Sequence, residues 1–242
     1  MKVHKEGKTP LINIFIILLL INIITIYFFS DTIFSKITFI VSLILFATSV
    51  NFYKSPERIY KGDLHGLVNS PTDGKIVAIE KIHEKKFFND ERIQVSIFMS
   101  LFNAHSNWIP VSGKVTHFSH IDGNFHAAFL PKSSSENEQT NILIETPEHG
   151  TILTKQIAGA VARRIVTYVD EGDEVHIGSP LGFIKLGSRI DVILPKNSEL
   201  MVNIGDEVRA NNTFIARLEK IKESYEGDNN TIKNIIVNNK TF

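Results

Sequence analysis

The chain has 242 residues, its 26 Lys and Arg are balanced by 26 Asp and Glu, and it contains no cysteine. A formal net charge of zero gives no global field to gather a polyanion, so nucleic acid is not an expected partner. Without cysteine there is no thiol nucleophile, no Cys-ligated zinc or iron–sulfur site and no disulfide, which leaves Ser, His, carboxylates, Lys or a cofactor to carry any chemistry.

The first elements are apolar. Residues 9–30 carry no charge, and residues 11–29 are almost wholly Ile, Leu and Phe, long enough to cross about 30 Å of hydrocarbon as a helix. The run is too long for a signal-peptide core and lacks a small-x-small exit site, so it reads as a retained span. A second uncharged run covers residues 37–53. It is short enough to suit a buried core helix, but outward snorkelling of Lys36 lets Ile33 and Phe34 enter the bilayer as well. Residues 1–56 are therefore expected to form a transmembrane helical hairpin. Lys2, Lys5 and Lys8 precede it, Lys54, Arg58 and Lys61 follow it, and the turn holds Asp31 and Lys36. The positive-inside rule then places both ends, and the domain that follows, on the cytoplasmic side of the cell's inner membrane.

Ser55-Pro56 ends the second helix, because the residue before proline resists the helical region. Residues 57–220 form the expected soluble domain, mainly β. Ile76-Val77-Ala78-Ile79, Ile93 to Phe98, Ile142-Leu143-Ile144, Arg164 to Val169 and Ile190 to Leu194 are short β-branched runs between turn residues, and no long segment here has a helical period. Gly172-Asp173-Glu174-Val175 recurs 33 residues later as Gly205-Asp206-Glu207-Val208, each copy followed by an apolar run. Gly-Asp suits a tight turn before a strand. The pattern resembles the lipoyl-like barrel-sandwich hybrid, so the predicted fold is an antiparallel sandwich with an internal repeat. Residues 221–242 are polar and Asn-rich and are expected to form a mobile tail.

Leu186-Gly187-Ser188-Arg189 lies between two apolar runs. Locally, such a Gly-Ser step reads as a turn or bulge. Two other segments change that reading. Ser70-Pro71-Thr72-Asp73-Gly74-Lys75-Ile76 opens the domain, and residues 98–113, which contain Asn103-Ala104-His105-Ser106-Asn107-Trp108, follow one strand later. With Gly187-Ser188-Arg189-Ile190-Asp191-Val192, and with Ala127 to Phe129 and Glu136-Asn137-Glu138 between them, these segments resemble the short-form phosphatidylserine decarboxylases in the same order along the chain.

This resemblance implies a self-processing proenzyme cut between Gly187 and Ser188. The products are a large chain (1–187) and a small chain (188–242) that stay together as a non-covalent heterodimer. Ser188 becomes a covalent pyruvoyl group that forms a Schiff base with the amine of a phospholipid substrate, giving phosphatidylethanolamine and CO2. Glycine before the serine leaves the attacked carbonyl open to approach. A serine hydroxyl needs a base, and His105 is the candidate, with Asp73 as the carboxylate that orients and charge-stabilises the imidazole. Asp73 also reads as an ordinary turn residue before Gly74, and His105 as a satisfied strand-end histidine. Trp108 stands where long forms carry a second histidine and short forms an arginine, and is expected at the lipid interface; the second proton-transfer group is left unassigned. Gln139 occupies a position where the family tends to have Arg. His117, His120 and His126 are not expected to bind metal, since the first two point to opposite faces of a strand, and no metal site is predicted. The competing function is a membrane-tethered, non-catalytic adaptor built on the same sandwich.

Overall fold

The two uncharged runs form the helices of a hairpin in the computed structural model, which describes residues 2–30, 32–58, 60, 62–123, 137–159, 164–185 and 188–220. A short strand β1 (Lys2–Val3) and a 3-10 turn (Lys5–Gly7) lead into α1 (Lys8–Phe28); α2 (Ile33–Phe52) returns to β2 (Lys54–Ser55). At 1.5 Å per residue each helix is about 30 Å long, the thickness of a bilayer's hydrocarbon core. Both are long and apolar enough to cross a membrane. They run antiparallel: Phe15 meets the edge of Phe46 at 5.7 Å between centroids, and Asn22 Nδ2 donates to Ser42 Oγ at 2.8 Å. Their outer faces expose Ile12, Phe15, Ile17, Phe39 and Leu43, a contiguous apolar surface that water would not tolerate. At the foot of the hairpin β1 pairs antiparallel with β2, Lys2 opposite Ser55, so both ends of the hairpin emerge together.

The domain is built from β3 (Leu67–Asn69), β4 (Gly74–Glu84), β5 (Asp90–Met99), β6 (Ser106–Trp108), β7 (Gly113–Ile121), β8 (Gln139–Thr146), β9 (Gly150–Ile157), β10 (Ile165–Thr167), β11 (Glu174–Val175), β12 (Pro180–Ile184), β13 (Ser188–Pro195), β14 (Glu199–Leu200), β15 (Glu207–Val208) and β16 (Phe214–Arg217). Eight of these form one antiparallel sheet in the order β11-β7-β8-β9-β13-β5-β4-β15, curled into a half-barrel. Two three-stranded sheets, β10-β12-β6 and β14-β16-β3, pack against it. One core joins all three: Ile97, Ile144 and Val192 from the long sheet, Leu181 and Ile184 from the first small sheet, Val68 and Ile215 from the second. The mainly β sandwich expected from the sequence is the fold observed. β13 lies between β5 and β9 and is buried along almost its whole length, its polar residues Ser188, Arg189 and Asp191 included.

The repeat organises the two edges. Gly172 and Gly205 both have φ of +98°, a conformation only glycine adopts without strain. Each following aspartate closes its turn, Asp173 Oδ2 accepting the Asp170 N–H at 2.9 Å and Asp206 Oδ2 the Asn203 N–H at 2.8 Å. The Glu-Val steps then become β11 and β15, the two outermost strands of the long sheet, paired with β7 and β4. Equivalent positions of the two copies touch, with Asn211 Nδ2 donating to the Gly178 carbonyl at 3.1 Å.

Some expectations fall on residues outside those described. These are the cleavage position Gly187, His126, Ala127 to Phe129, Glu136 and the segment 221–242.

Candidate active site

The three motif segments, far apart in sequence, converge on one sulfur atom. Met99 ends β5, and its backbone lies opposite Ser188, the first residue of β13. Its Sδ receives the Thr72 hydroxyl at 2.8 Å, the Ser188 hydroxyl at 3.5 Å and the Asn107 amide at 3.8 Å. Thr72, Met99 and Ser188 are wholly buried. A thioether is a weak acceptor, so the Ser188 hydroxyl is shut away from water and only loosely held. Asn107 is oriented from behind: its Oδ1 accepts from Gln156 Nε2 at 2.8 Å, and Gln156 Oε1 accepts from Thr140 and Thr167 at 2.9 Å each.

His105 is also fully buried. Its Nδ1 lies 3.1 Å from the Asn103 carbonyl oxygen, and because a carbonyl can only accept, that nitrogen carries the proton. Nε2 is then a bare lone pair, and it is buried without a hydrogen-bond partner. The ring packs against Phe52 at 4.3 Å between centroids. Burial pushes the His105 pKa down from 6.5 to about 4, opposed by the Asn103 carbonyl and reinforced by the charge of Lys54. The imidazole is thus neutral near pH 7. Its backbone carbonyl accepts the Ile184 N–H at 3.2 Å, which ties it to the last residue of β12, four positions before Ser188.

Asp73 is placed differently from a simple triad member. Its carboxylate is held bidentate by Arg58, at 2.5 and 2.9 Å, and accepts the Ala210 N–H at 3.0 Å. Among the described residues no hydrogen bond joins Asp73 to His105. Asp73 reaches the cluster through its neighbour Thr72, whose hydroxyl shares the Met99 sulfur with Ser188.

Next to Ser188, Arg189 and Asp191 point to one face of β13, as their spacing of two requires. They form a buried ion pair at 2.5 and 3.1 Å, and Arg189 Nη2 also donates to Ser96 Oγ on β5 at 2.8 Å. A buried pair tolerates desolvation only when its hydrogen bonds are made. A register slip of β13 would carry the pair with it but part Arg189 from Ser96, so that cross-strand bond helps pin the strand that presents Ser188.

Trp108 corrects an expectation. It is only 7% exposed and packs with Ala104 and Ala210, because all of β6, the edge strand of the β10-β12-β6 sheet, is buried within the domain. The exposed apolar residues near the hairpin are instead Leu101 and Phe102, 53% and 73% exposed. The Phe102 carbonyl accepts from Lys54 Nζ at 2.7 Å. Gln139 is buried with an unpartnered Oε1. His117 faces Glu171 at 3.8 Å and His120 faces Glu138 at 3.2 Å.

The foot of the hairpin sits over this cluster. Phe52 covers His105, His4 and Tyr53 stack on Phe183 at 4.6 and 5.7 Å, and Lys5 lies 3.4 Å above the Tyr168 ring. Beside it an open cleft of about 620 Å³ runs between Lys54, Arg58, Asp73, Asn103, Phe102 and Arg209. Arg58, Phe52 and Met99 carry no signature in the sequence: they read there as a flanking charge, a membrane residue and a core residue.

A lone-pair nitrogen and a hydroxyl sealed in the core suit an enzyme's site, and the hairpin above them is long and apolar enough to cross a membrane. The chain belongs to the phosphatidylserine decarboxylase family, whose model matches residues 45–216. Among its relatives, the phosphatidylserine decarboxylase proenzyme of Parabacteroides distasonis is 48% identical over 222 residues, covering 91% of this chain and 100% of the relative. The proenzyme of Porphyromonas gingivalis is 46% identical over 220 residues, covering 90% and 99%. That of Bacteroides thetaiotaomicron is 45% identical over 218 residues, covering 90% and 96%.

Proposed function

We propose that the chain cleaves itself between Gly187 and Ser188 and then converts phosphatidylserine to phosphatidylethanolamine and CO2. The observation that carries this reading is the bare, buried Nε2 of a neutral His105, whose backbone carbonyl is bonded to Ile184 four residues before the buried, loosely held Ser188 hydroxyl. In processing, Nε2 takes the hydroxyl proton and Ser188 Oγ bonds to the Gly187 carbonyl carbon. His105 gives that proton to the Ser188 nitrogen as the bond from the carbon to the nitrogen breaks, leaving an ester and a free amine. Loss of the Ser188 α-proton expels the Gly187 carboxylate, and hydrolysis of the resulting dehydroalanine releases ammonia and leaves a pyruvoyl group on the small chain, 188–242.

The surroundings fit that group. The position is dry, one side is a thioether, and Thr72 and Asn107 hold that thioether in place. The pyruvoyl group supplies a ketone that takes the substrate amine and draws off the electrons released with CO2. His105 then moves a proton at Nε2 during turnover. Asp73 is assigned as the anionic partner of the imidazole. To take the His105 N–H it must turn one oxygen from Arg58, and Nδ1 must turn from Asn103.

The phospholipid enters from the bilayer through the cleft beside the hairpin, where Lys54, Arg58 and Arg209 suit a phosphodiester. The domain faces the cytoplasm from the inner membrane, because the cations flanking the hairpin cluster at its foot. Intact-mass measurement of the purified protein tests this reading. Two fragments divided at 187/188, the smaller lacking the serine nitrogen, are expected, and Ser188→Ala should leave one uncut and inactive chain. A single wild-type chain with an ordinary Ser188 would overturn it.

A further inference from the structure

We infer that His65, Glu148 and His149 form a site for a divalent transition metal of the zinc class, at the end of the domain remote from Ser188. Their ligand atoms all lie within 4.8 Å of one another, and no other such group occurs among the described residues. Each comes from a segment held in place. The His65 N–H donates to Asp63 Oδ1 at 2.9 Å; the turn between β8 and β9 is closed by Thr146, which accepts the His149 N–H at 3.1 Å and donates to the Gly150 carbonyl at 2.7 Å.

His149 supplies the second, independent observation. It is 8% exposed, and its Nε2 is buried with no partner. Its Nδ1 lies 3.1 Å from the Glu219 carbonyl and therefore carries the proton, which leaves Nε2 as a lone pair directed by a backbone carbonyl, the usual outer support of a metal-bound imidazole. Gly66, with φ of +67°, lets the linker pass against that ring: a Cβ there would stand 3.3 Å from His149 Cε1.

The other two groups are positioned to close on it. His65 Nε2 is 3.2 Å from Glu148 Oε2, and the two imidazole rings are 5.1 Å apart between centroids. Zinc-class ions bind imidazole nitrogen and carboxylate oxygen at about 2.0–2.2 Å, so the half-exposed His65 and Glu148 need to move inward by only about 1 Å. Lys220 now lies 2.7 Å from the same Glu148 oxygen; the metal displaces it. The three groups line an open cleft of about 380 Å³, leaving a coordination position for water.

The site is structural rather than catalytic. Ile157 of β9 lies opposite Arg189, beside Ser188, while Gly150 lies at the other end of the same strand; seven residues at ~3.3 Å each separate the two ends by about 23 Å. A metal here clasps the linker that leaves the hairpin to the β8–β9 turn. Through His149 it also orders the strand end at Leu218, whose N–H already donates to the Gly66 carbonyl at 2.7 Å.

The test uses the full chain in detergent, stripped with a chelator and titrated with zinc chloride, followed by calorimetry, thermal melting and X-ray absorption. One zinc per chain, a raised Tm and a first shell containing two imidazoles are expected. His65→Ala and Glu148→Gln, both changes at half-exposed positions, should each weaken binding by roughly tenfold or more and remove the Tm shift, with self-cleavage unchanged. No zinc uptake by the wild type, or equal uptake by both variants, would overturn the inference while leaving the decarboxylase reading intact.

Discussion

The ordinary pKa of histidine and its value in this core are far enough apart to be measured. His105 is pushed down from 6.5 to about 4 by burial. Above 6.5 the folded and unfolded forms are both neutral and the contribution to stability is complete. Between 6.5 and 4 the unfolded chain takes up a proton that the folded chain refuses, so stability falls as pH falls, by at most about 3 kcal/mol from this group. The same shift keeps Nε2 available as a base. Self-cleavage should therefore hold a constant rate from about pH 8 to about pH 5, and His105→Ala should slow it by about 10²–10⁴-fold, both read by gel densitometry on freshly folded chains. Unchanged maturation in His105→Ala would reduce this residue to a structural one. Ser188 and His105 were legible as candidates from their motifs. The Asn103 carbonyl that selects the tautomer was not, because tautomer choice depends on which acceptor the fold brings near.

Between elements, the contact that matters most is the end of α2 on the imidazole. Phe52 lies 4.3 Å from the His105 ring and supplies part of the burial that lowers its pKa. Phe52→Ala should admit water, move the His105 pKa back towards 6.5 and shift the acidic limb of the cleavage profile to higher pH. An unshifted limb with a merely lower rate would mean that Phe52 only supports the fold. The strands themselves were readable where β-branched runs met turn residues, and the Gly-Asp-Glu-Val repeat marked both edges of the long sheet. Trp108 was misread because indole suits both an interface and a tight core, and only the burial of β6 within the domain decides between them.

At the scale of the whole molecule, cleavage at 187/188 would not release either piece. β13 hydrogen-bonds to β5 on one side and β9 on the other, β15 edges the long sheet against β4, and β16 pairs with β3. A small chain woven into two sheets should co-elute with the large chain in native size-exclusion chromatography and separate only in denaturant. Dissociation in mild detergent would contradict the heterodimer. The hairpin joins the same construction: β1 pairs with β2, and Lys5 and His4 rest on Tyr168 and Phe183, so the foot of the apolar hairpin forms the roof of the candidate site.

The hairpin, the β class, the repeat and the family's three motifs were determined by the sequence alone, because period, length and turn chemistry are local properties. Pairing of Asp73 with Arg58, convergence of Thr72, Asn107 and Ser188 on Met99, and assembly of His65 with Glu148 and His149 were decided only by the tertiary structure. Several of those contacts join distant residues, Met99 and Ser188 being 89 positions apart, and a chain carries no local record of which side chains its strands will bring together.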